Sequence, residues 1–273
     1  MIMCRMSALA ATAVILGLWA TPGEAAIPDK TPPQTKAQPA PPQHRRATPD
    51  QRAQVARMEP LARAAFWARE IDADPTDADA GVALSQALRA MGRYEDAIAA
   101  AQKVLTTRPD AAEALLEVAR GQLGRGQGFY AIEPARRAQT LNPRDWRAPS
   151  LLGVAFEQAG RPEEALAAHQ HALALAPDNP AALTNLALYL ATHGDPTQAE
   201  TLMRRAAAKP DAGIAVRQNL ALVLGLQGRL DEAEKLARQD LPPEAVASNM
   251  AYLRAATVPA APQRSWDSVR VAQ

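Results

Sequence analysis

Small and apolar residues recur along this chain with a period of 34 residues. Between the recurring residues, large apolar side chains fall at the three- and four-residue intervals of an amphipathic helix. Each 34-residue unit is therefore predicted to contain two short helices joined by a tight turn. The phased residues are Gly92, Gly126, Gly160, Gly194 and Gly228, each followed five residues later by Ala97, Ala131, Ala165, Ala199 and Ala233.

Each phase has a structural meaning when Ala78 is taken as position 1 of the first unit. Position 7 is a large apolar residue and position 8 is mostly a small one, so the first helix fills a seam while a partner helix approaches closely. The glycine at position 15 ends the first helix, where a positive φ is often required. The alanine at position 20 is expected where the second helix crosses the first. A proline near position 32 stops the second helix.

Helix–turn–helix units with this period and these phases resemble tetratricopeptide (TPR) repeats. The resemblance implies an all-α fold, a right-handed α-solenoid of five TPR units with capping helices at both ends. The chain departs from the family pattern at position 4, where the usual aromatic is replaced by Gly81, Leu115, Pro149, Leu183 and Arg217. The five units are 78–111, 112–145, 146–179, 180–213 and 214–241.

The segment before the first unit is predicted to cap the stack, since terminal repeats are commonly atypical. Thr48, Pro49 and Gln51 match an N-cap residue, a proline at N1 and a capping-box residue at N3. Two helices, at about 49–58 and 61–72, are predicted to follow. We therefore interpret 48–77 as a degenerate N-terminal repeat or cap.

The segment after the last unit, 242–257, is predicted to form a C-terminal capping helix that covers the last open seam. Residues 258–273 show no periodicity, contain Pro259 and Pro262, and are predicted to be a disordered tail. The apolar face of the capping helix comprises Val246, Met250 and Leu253.

The first 25 residues have the three parts of a secretory signal peptide. Arg5 precedes the apolar run Met6–Ala20, and Gly23–Ala25 offers small residues for cleavage after Ala25. The alternative, an uncleaved anchor, is disfavoured because about 15 apolar residues are too few to span roughly 30 Å of hydrocarbon as a helix. Cys4 precedes the apolar run, whereas a lipoprotein carries its acylated cysteine at the cleavage site. We expect a periplasmic protein.

Residues 26–47 contain six prolines, which are incompatible with a helix, and too little apolar surface to fold alone. We interpret this segment as a Pro-rich disordered linker. The alternative is a polyproline II docking motif, although no partner-specific pattern surrounds the prolines.

Composition argues against several classes of function. Lys and Arg number 30 and Asp and Glu number 29, for a formal net charge of +1, so nothing suggests nucleic-acid binding through counterion release. The single cysteine excludes an intrachain disulfide or a Cys-rich zinc site. His169 and His171 lie two apart on a predicted helix and face different directions, which does not suit a shared metal ion.

Catalytic machinery is not evident either. No Ser or Cys nucleophile has a positioned base, and the chain is predicted not to be an enzyme and to need no cofactor. The alternative is an enzyme with a TPR platform, which would require a catalytic domain beyond the repeats, linker and tail. Residues 126–131 match the dinucleotide pattern GxGxxA, but the preceding residues are helical in pattern rather than a strand. The surplus of glycine at positions 121, 124, 126 and 128 predicts that 112–145 is the loosest unit.

In TPR stacks the first helix of each unit lines the concave side, mainly through positions 2, 5, 9 and 12, with position 6 close by. The resemblance therefore implies a partner-binding groove. Asn185 and Asn219 share position 6, and two interpretations stay open: each pairs with the amide of an extended partner segment, or each is a structural asparagine. Arg136–Arg137 and Arg204–Arg205 are predicted to form a solvated outer face. The candidate groove residues are Gln86, Arg89, Arg120, Arg147, Glu157, Thr184, Asn185, Leu188, Gln218, Asn219 and Leu222.

A narrower resemblance covers residues 216–255. There the last repeat runs directly into Leu241-Pro242-Pro243-Glu244 and a capping helix, which is similar to the end of TadD-like TPR proteins of the Tad (tight adherence) system. The resemblance implies a role in assembling Flp-type pili and their outer-membrane secretion channel, with protein partners in the cell envelope. Membrane association is expected only through those partners or an uncleaved N-terminus. The alternative is a TPR assembly factor for another envelope process, such as cytochrome c maturation, polysaccharide export or secretion.

Overall fold

The computed structural model describes residues 46–210 and 212–257, and these residues form thirteen α-helices and no β-strand. The predicted all-α class is therefore confirmed. The expected signal peptide, the linker up to residue 45 and the tail 258–273 lie outside the described residues. None of the thirteen helices has the length and apolar character needed to cross a membrane. They are α1 (Pro49–Val55), α2 (Pro60–Ala73), α3 (Ala78–Ala90), α4 (Tyr94–Thr107), α5 (Ala112–Gly124), α6 (Gly128–Leu141), α7 (Arg147–Gln158), α8 (Pro162–Leu175), α9 (Pro180–Thr192), α10 (Pro196–Ala207), α11 (Ile214–Leu226), α12 (Leu230–Ala237) and α13 (Pro243–Thr257).

The glycine at position 15 ends the first helix of every repeat, as the period predicts. All five of these glycines have a positive φ, between 69° and 100°. In the first repeat, the amide of Arg93 donates to the Leu88 carbonyl and the amide of Gly92 donates to the Arg89 carbonyl. This is the hydrogen-bond pattern of a Schellman motif, which satisfies carbonyls that the helix end leaves free. The turn therefore follows from local sequence alone.

The helices pair in chain order into five repeats, from α3–α4 to α11–α12. The alanine at position 20 of every repeat is fully buried, which lets the second helix cross closely over the first. Successive first helices contact one another, whereas successive second helices, as far as the chain is described, do not. A stack whose first layer is the more closely spaced curves toward that layer. The first helices α3, α5, α7, α9 and α11 therefore line the concave side.

At the N-terminal end, α1 is held to α2 and α3 by charged groups, after the predicted capping box of Thr48 and Gln51. Arg52 Nη2 lies 2.5 Å from Glu70 Oε2 and 2.7 Å from Asp77 Oδ2, and both carboxylates are buried. Burial by itself raises the pKa of Asp77. Hydrogen bonds from the Ala80 amide and from the Arg52 and Arg46 guanidiniums outweigh that effect and lower the pKa to about 2.

At the C-terminal end, α13 packs against α11 and α12 and takes the place that the first helix of a further repeat would occupy. Its residues Val246, Met250 and Leu253 are 2%, 2% and 3% exposed. The approach to α11 is close, because a Cβ atom added to Gly225 would lie 2.3 Å from Leu253 Cδ1. Glycine at this position therefore sets the distance between α11 and its cap.

The expectation that 112–145 is the loosest unit is wrong. A Cβ atom at Gly121 would lie 2.5 Å from Ile98 Cγ1, and one at Gly124 would lie 2.4 Å from the Tyr94 ring. These glycines let α5 pack tightly against the second helix of the preceding repeat. The glycine content suggested a flexible backbone, but these glycines allow neighbouring repeats to pack closely, because they have no Cβ atom.

Candidate partner-binding groove

In the N-terminal half of the concave layer, a buried carboxylate joins two predicted groove residues from adjacent repeats. Glu117 on α5 is 0% exposed. Arg89 Nε on α3 lies 2.9 Å from Glu117 Oε2, and Arg120 Nη1 lies 2.5 Å from Glu117 Oε1. A buried carboxylate needs such partners, because an unpaired charge would be strongly destabilising. The two guanidiniums are therefore held by the fold.

Sequence reasoning did not select Glu117, although a signal was present. It occupies position 6, the phase of Asn185 and Asn219, and lies three residues before Arg120 on the same helix. An acidic residue on the packed face of a helix, one turn from an arginine, indicates a buried ion pair.

Arg147, another predicted groove residue, forms a bridge between two repeats. Its guanidinium contacts Asp145 in the loop before α7 and Glu113 on α5, with the shortest distances 2.7 Å and 2.5 Å. The hydrogen bonds that the guanidinium donates to the Asp145 and Glu113 carboxylates raise the pKa of Arg147, so the guanidinium stays charged. Gln86 on α3 is exposed and makes no hydrogen bond to any described residue. The N-terminal half of the groove therefore has mixed but largely paired charge.

Glu157 turns toward the second helix of its own repeat. Its Oε1 lies 2.5 Å from Nε2 of His169 on α8, which is 1% exposed. The imidazole fits there because position 8 is Gly153, where a Cβ atom would lie 2.3 Å from His169 Cε1. Glu157 thus contributes to packing between α7 and α8 as well as to the rim of the groove.

On α9 the structure places the predicted groove residues in structural contacts. Thr184 is 7% exposed, and its hydroxyl lies 3.8 Å from the sulfur of Met203 on α10. The Asn185 amide donates to the Ser150 hydroxyl on α7, at 2.8 Å. Leu188 is half-buried against the central core. Of the two interpretations of Asn185, its geometry favours the structural one, a link between neighbouring repeats.

The C-terminal set, Gln218, Asn219 and Leu222, lies together on the wall of one cavity between α11 and α13, with a volume of about 290 Å³. Gln218 donates to Asp240 at 3.2 Å, whereas the Asn219 side chain has no hydrogen-bond partner in the described part of the chain. The capping helix supplies the opposite wall, including Ser248, Asn249, Met250, Tyr252 and Leu253. We name this space the terminal cavity.

The residues of α13 were missed as site residues because only its apolar face was considered. Tyr252 lies one turn after both Ser248 and Asn249, so the three residues share a polar face of the same helix. That spacing was the available signal, but only the packing of α13 on α11 shows that this face borders the groove.

The outer-face arginines are exposed, but two of them also join repeats. Arg137 donates to the Pro109 carbonyl at 2.8 Å, and Arg205 donates to the Pro177 carbonyl at 3.3 Å. In both cases the acceptor lies 28 residues earlier, in the loop that ends the preceding repeat. The outer face is solvated as predicted, and at position 26 its arginines also link neighbouring repeats.

The family models that match this chain all describe the same repeat family. Models described as Tetratricopeptide repeat match residues 82–127 and 131–180, residues 156–211, and residues 214–241, which together exceed half of the chain. A sequence comparison with the curated proteins gives no match. Proteins of this repeat family are generally non-catalytic scaffolds that bind protein partners.

Solved structures show the same architecture. A thermophilic TPR protein of Thermus thermophilus is 25% identical, with a TM-score of 0.58 over 65% of this chain and 99% of that one. PilF of Pseudomonas aeruginosa is 21% identical, with a TM-score of 0.53 over 66% and 85%. A chain of the APC/C hetero-tetramer Cut9-Hcn1 is 19% identical, with a TM-score of 0.62 over 72% and 40%. With the phased glycines and alanines, these matches lead to one conclusion: the chain belongs to the tetratricopeptide repeat family.

Proposed function

We propose that this chain is a non-catalytic periplasmic scaffold that binds a protein partner in its concave groove and assists assembly of Flp-type (Tad) pili and their secretion channel. The observation that carries the proposal is the uninterrupted concave layer of first helices, which ends in an open cavity between α11 and α13. Such a surface suits an elongated protein segment better than a small substrate.

The side chains of the groove support a role in binding. Arg89, Arg120 and Arg147 are each paired with a carboxylate of the same array. Paired guanidiniums are held in position, and their remaining N–H groups stay available to a partner. This arrangement favours recognition of a surface over proton transfer.

The sequence supports the pathway and the compartment. Residues 216–255 resemble the end of TadD-like proteins, and the first 25 residues have the parts of a secretory signal peptide. In this proposal the partners are components of the pilus and secretion machinery in the cell envelope.

Site-specific photo-cross-linking tests the proposal in cells. A photoreactive residue replaces Gln86, exposed on the concave layer, or Gln102, exposed on α4 of the outer layer. Neither side chain makes a hydrogen bond to a described residue, so the two sites are matched. We expect position 86, but not position 102, to capture a pilus or secretion component from envelope fractions.

Three results would reject parts of this proposal. Capture at position 86 of a cytochrome c maturation or polysaccharide export component would assign the scaffold to another envelope process. Capture only at position 102 would place the binding surface on the outer layer. N-terminal sequencing of the same purified protein should begin near residue 26, and a start at Met1 would contradict the cleaved signal peptide.

A further inference from the structure

We infer that the terminal cavity binds an extended, uncharged segment of the partner and accepts one large apolar side chain from it. The inference rests on the proposed function as a protein-binding scaffold and names the kind of segment that the C-terminal end of the groove recognises. The occupant follows from the charge of the lining, from two amides without hydrogen bonds, and from the size of the cavity.

The lining of the terminal cavity is amphipathic and, among the residues described there, uncharged. Its apolar part includes Leu222, Met250 and Leu253, and its polar part includes the amides of Asn219 and Asn249. An ionised side chain placed in this cavity would lose hydration without gaining a counter-charge, which is costly. The N-terminal half of the groove, with its paired arginines, differs in this respect. The terminal cavity therefore selects against charged segments.

A comparison between repeats explains why Asn219 is available. Asn185 donates to Ser150, which lies 35 residues earlier on the preceding first helix. The residue 35 positions before Asn219 is Thr184, but its hydroxyl points to Met203 on the second helix. The bond that satisfies Asn185 is therefore not repeated one unit later, and the Asn219 amide is left beside the cavity.

Asn249 presents a second amide from the opposite wall. Like Asn219, it makes no hydrogen bond within the described part of the chain. An asparagine side chain carries both donors and an acceptor, as a peptide group does. Two such amides facing one cavity match a segment whose own backbone groups are free. That condition is met by an extended chain and not by a helix, whose backbone groups are already bonded to each other.

The volume limits how much of the partner enters. About 290 Å³ is at or below the lower end of the range for small-molecule pockets. It accommodates one large side chain, such as leucine or phenylalanine, against the accessible parts of Leu222 and Tyr252. The rest of the segment then continues along the concave layer, past Gln218.

The test uses capped heptapeptides and the purified protein. The probe is Ac-Ser-Gly-Ser-Leu-Ser-Gly-Ser-NH2, compared with peptides that carry Phe, Asp or Lys at the centre, with binding followed by NMR chemical shifts of the protein amides. We expect saturable shifts confined to α11 and α13 with Leu or Phe, and binding at least about tenfold weaker with Asp or Lys. Because the lining is uncharged, affinity should change less than about twofold on raising the salt concentration.

Matched variants locate the contact. Asn219→Ala with Asn249→Ala should weaken binding of the Leu peptide by roughly tenfold, at the order of one hydrogen bond lost per site. Gln102→Ala with Gln170→Ala, which removes two exposed amides from the outer layer, should leave affinity unchanged. Ser248→Phe, at an exposed residue of the cavity wall, should fill the cavity and abolish binding while the helical circular dichroism signal is retained.

Tighter binding of the Asp or Lys peptides, no saturable shifts with any peptide, or full binding by the Ser248→Phe variant would overturn the inference. These failures are distinct from failure of the proposed function. If position 86 captures a pilus component while the heptapeptides do not bind, only the terminal-cavity assignment is wrong. If the Leu peptide binds as expected but position 86 captures a component of another envelope process, only the pilus assignment is wrong.

Discussion

Replacing Gly153 by alanine should have opposite effects on stability in two backgrounds. In the folded chain, a Cβ atom at this position would lie 2.3 to 2.6 Å from three atoms of the His169 ring. His169 is buried and held by Glu157, so its ring cannot move aside freely. Position 8 is therefore glycine because the side chain across the helix pair, at position 24, is a large ring.

The magnitude follows from two opposing contributions. Overpacking of a dense core typically costs about 1–3 kcal/mol. Alanine in a helix interior is favoured over glycine by up to about 1 kcal/mol. We expect Gly153→Ala to lower the free energy of unfolding by about 1–2 kcal/mol. In the His169→Ala background the clash is gone, so the same change should raise it by about 1 kcal/mol.

Another repeat of this chain already has alanine at both of the positions that the double variant would change. In the unit 112–145 the equivalent positions are Ala119 and Ala135, and both are fully buried. An alanine pair at positions 8 and 24 is therefore compatible with the fold, although His169→Ala alone should cost about 2–4 kcal/mol through the cavity that it leaves.

The assay is urea unfolding of the wild type, both single variants and the double variant, followed by far-UV circular dichroism. The interaction free energy from this double-mutant cycle should reach about 2 kcal/mol. Stabilisation by Gly153→Ala in the wild-type background would refute the close packing of α7 on α8. An equal effect of the change in both backgrounds would refute the assignment of His169 as its cause.

Three further predictions concern the ends of the array and the groove. The folded pKa of Asp77 is about 2, below its ordinary value of 3.8, so its stabilising contribution of roughly 2 kcal/mol is present above pH 4 and is lost as the pH falls toward 2. In the Asp77→Asn variant, the free energy of unfolding should therefore depend less on pH between 4 and 2. Asn185→Ala should lower the urea midpoint by the equivalent of about 1 kcal/mol, whereas Asn219→Ala should leave it nearly unchanged, and equal losses would contradict the difference in hydrogen bonding. Gly225→Val should push α13 away through Leu253 and accelerate hydrogen exchange in α13 first, and uniform exchange along the array would contradict this.

The repeat architecture could be predicted from the sequence because its determinants are local. A glycine with positive φ ends each first helix, an alanine is buried at each crossing, and both recur every 34 residues. Repeats contact mainly their neighbours, so the same local rules applied five times define the stack. The capping box of Thr48 and Gln51 is equally local and was equally predictable.

The groove was less predictable because its side chains meet partners that lie about one repeat away. Helical periodicity places Asn185 and Asn219 on the same face, but only the packing shows that Ser150 satisfies the first while Thr184 turns away from the second. Glu117 has one local partner, Arg120, that the sequence could have indicated, whereas its other partner, Arg89, lies 28 residues earlier in the preceding repeat.

Sequence by itself determined the class, the period and the turn of every repeat, because each of these depends on residues within a few positions of one another. The tertiary structure decided which groove amides are already bonded, and that the polar face of α13 closes the groove into a cavity. Those outcomes depend on distances between side chains of different helices, such as the close approach that Gly225 permits to Leu253, and one-dimensional spacing does not contain them.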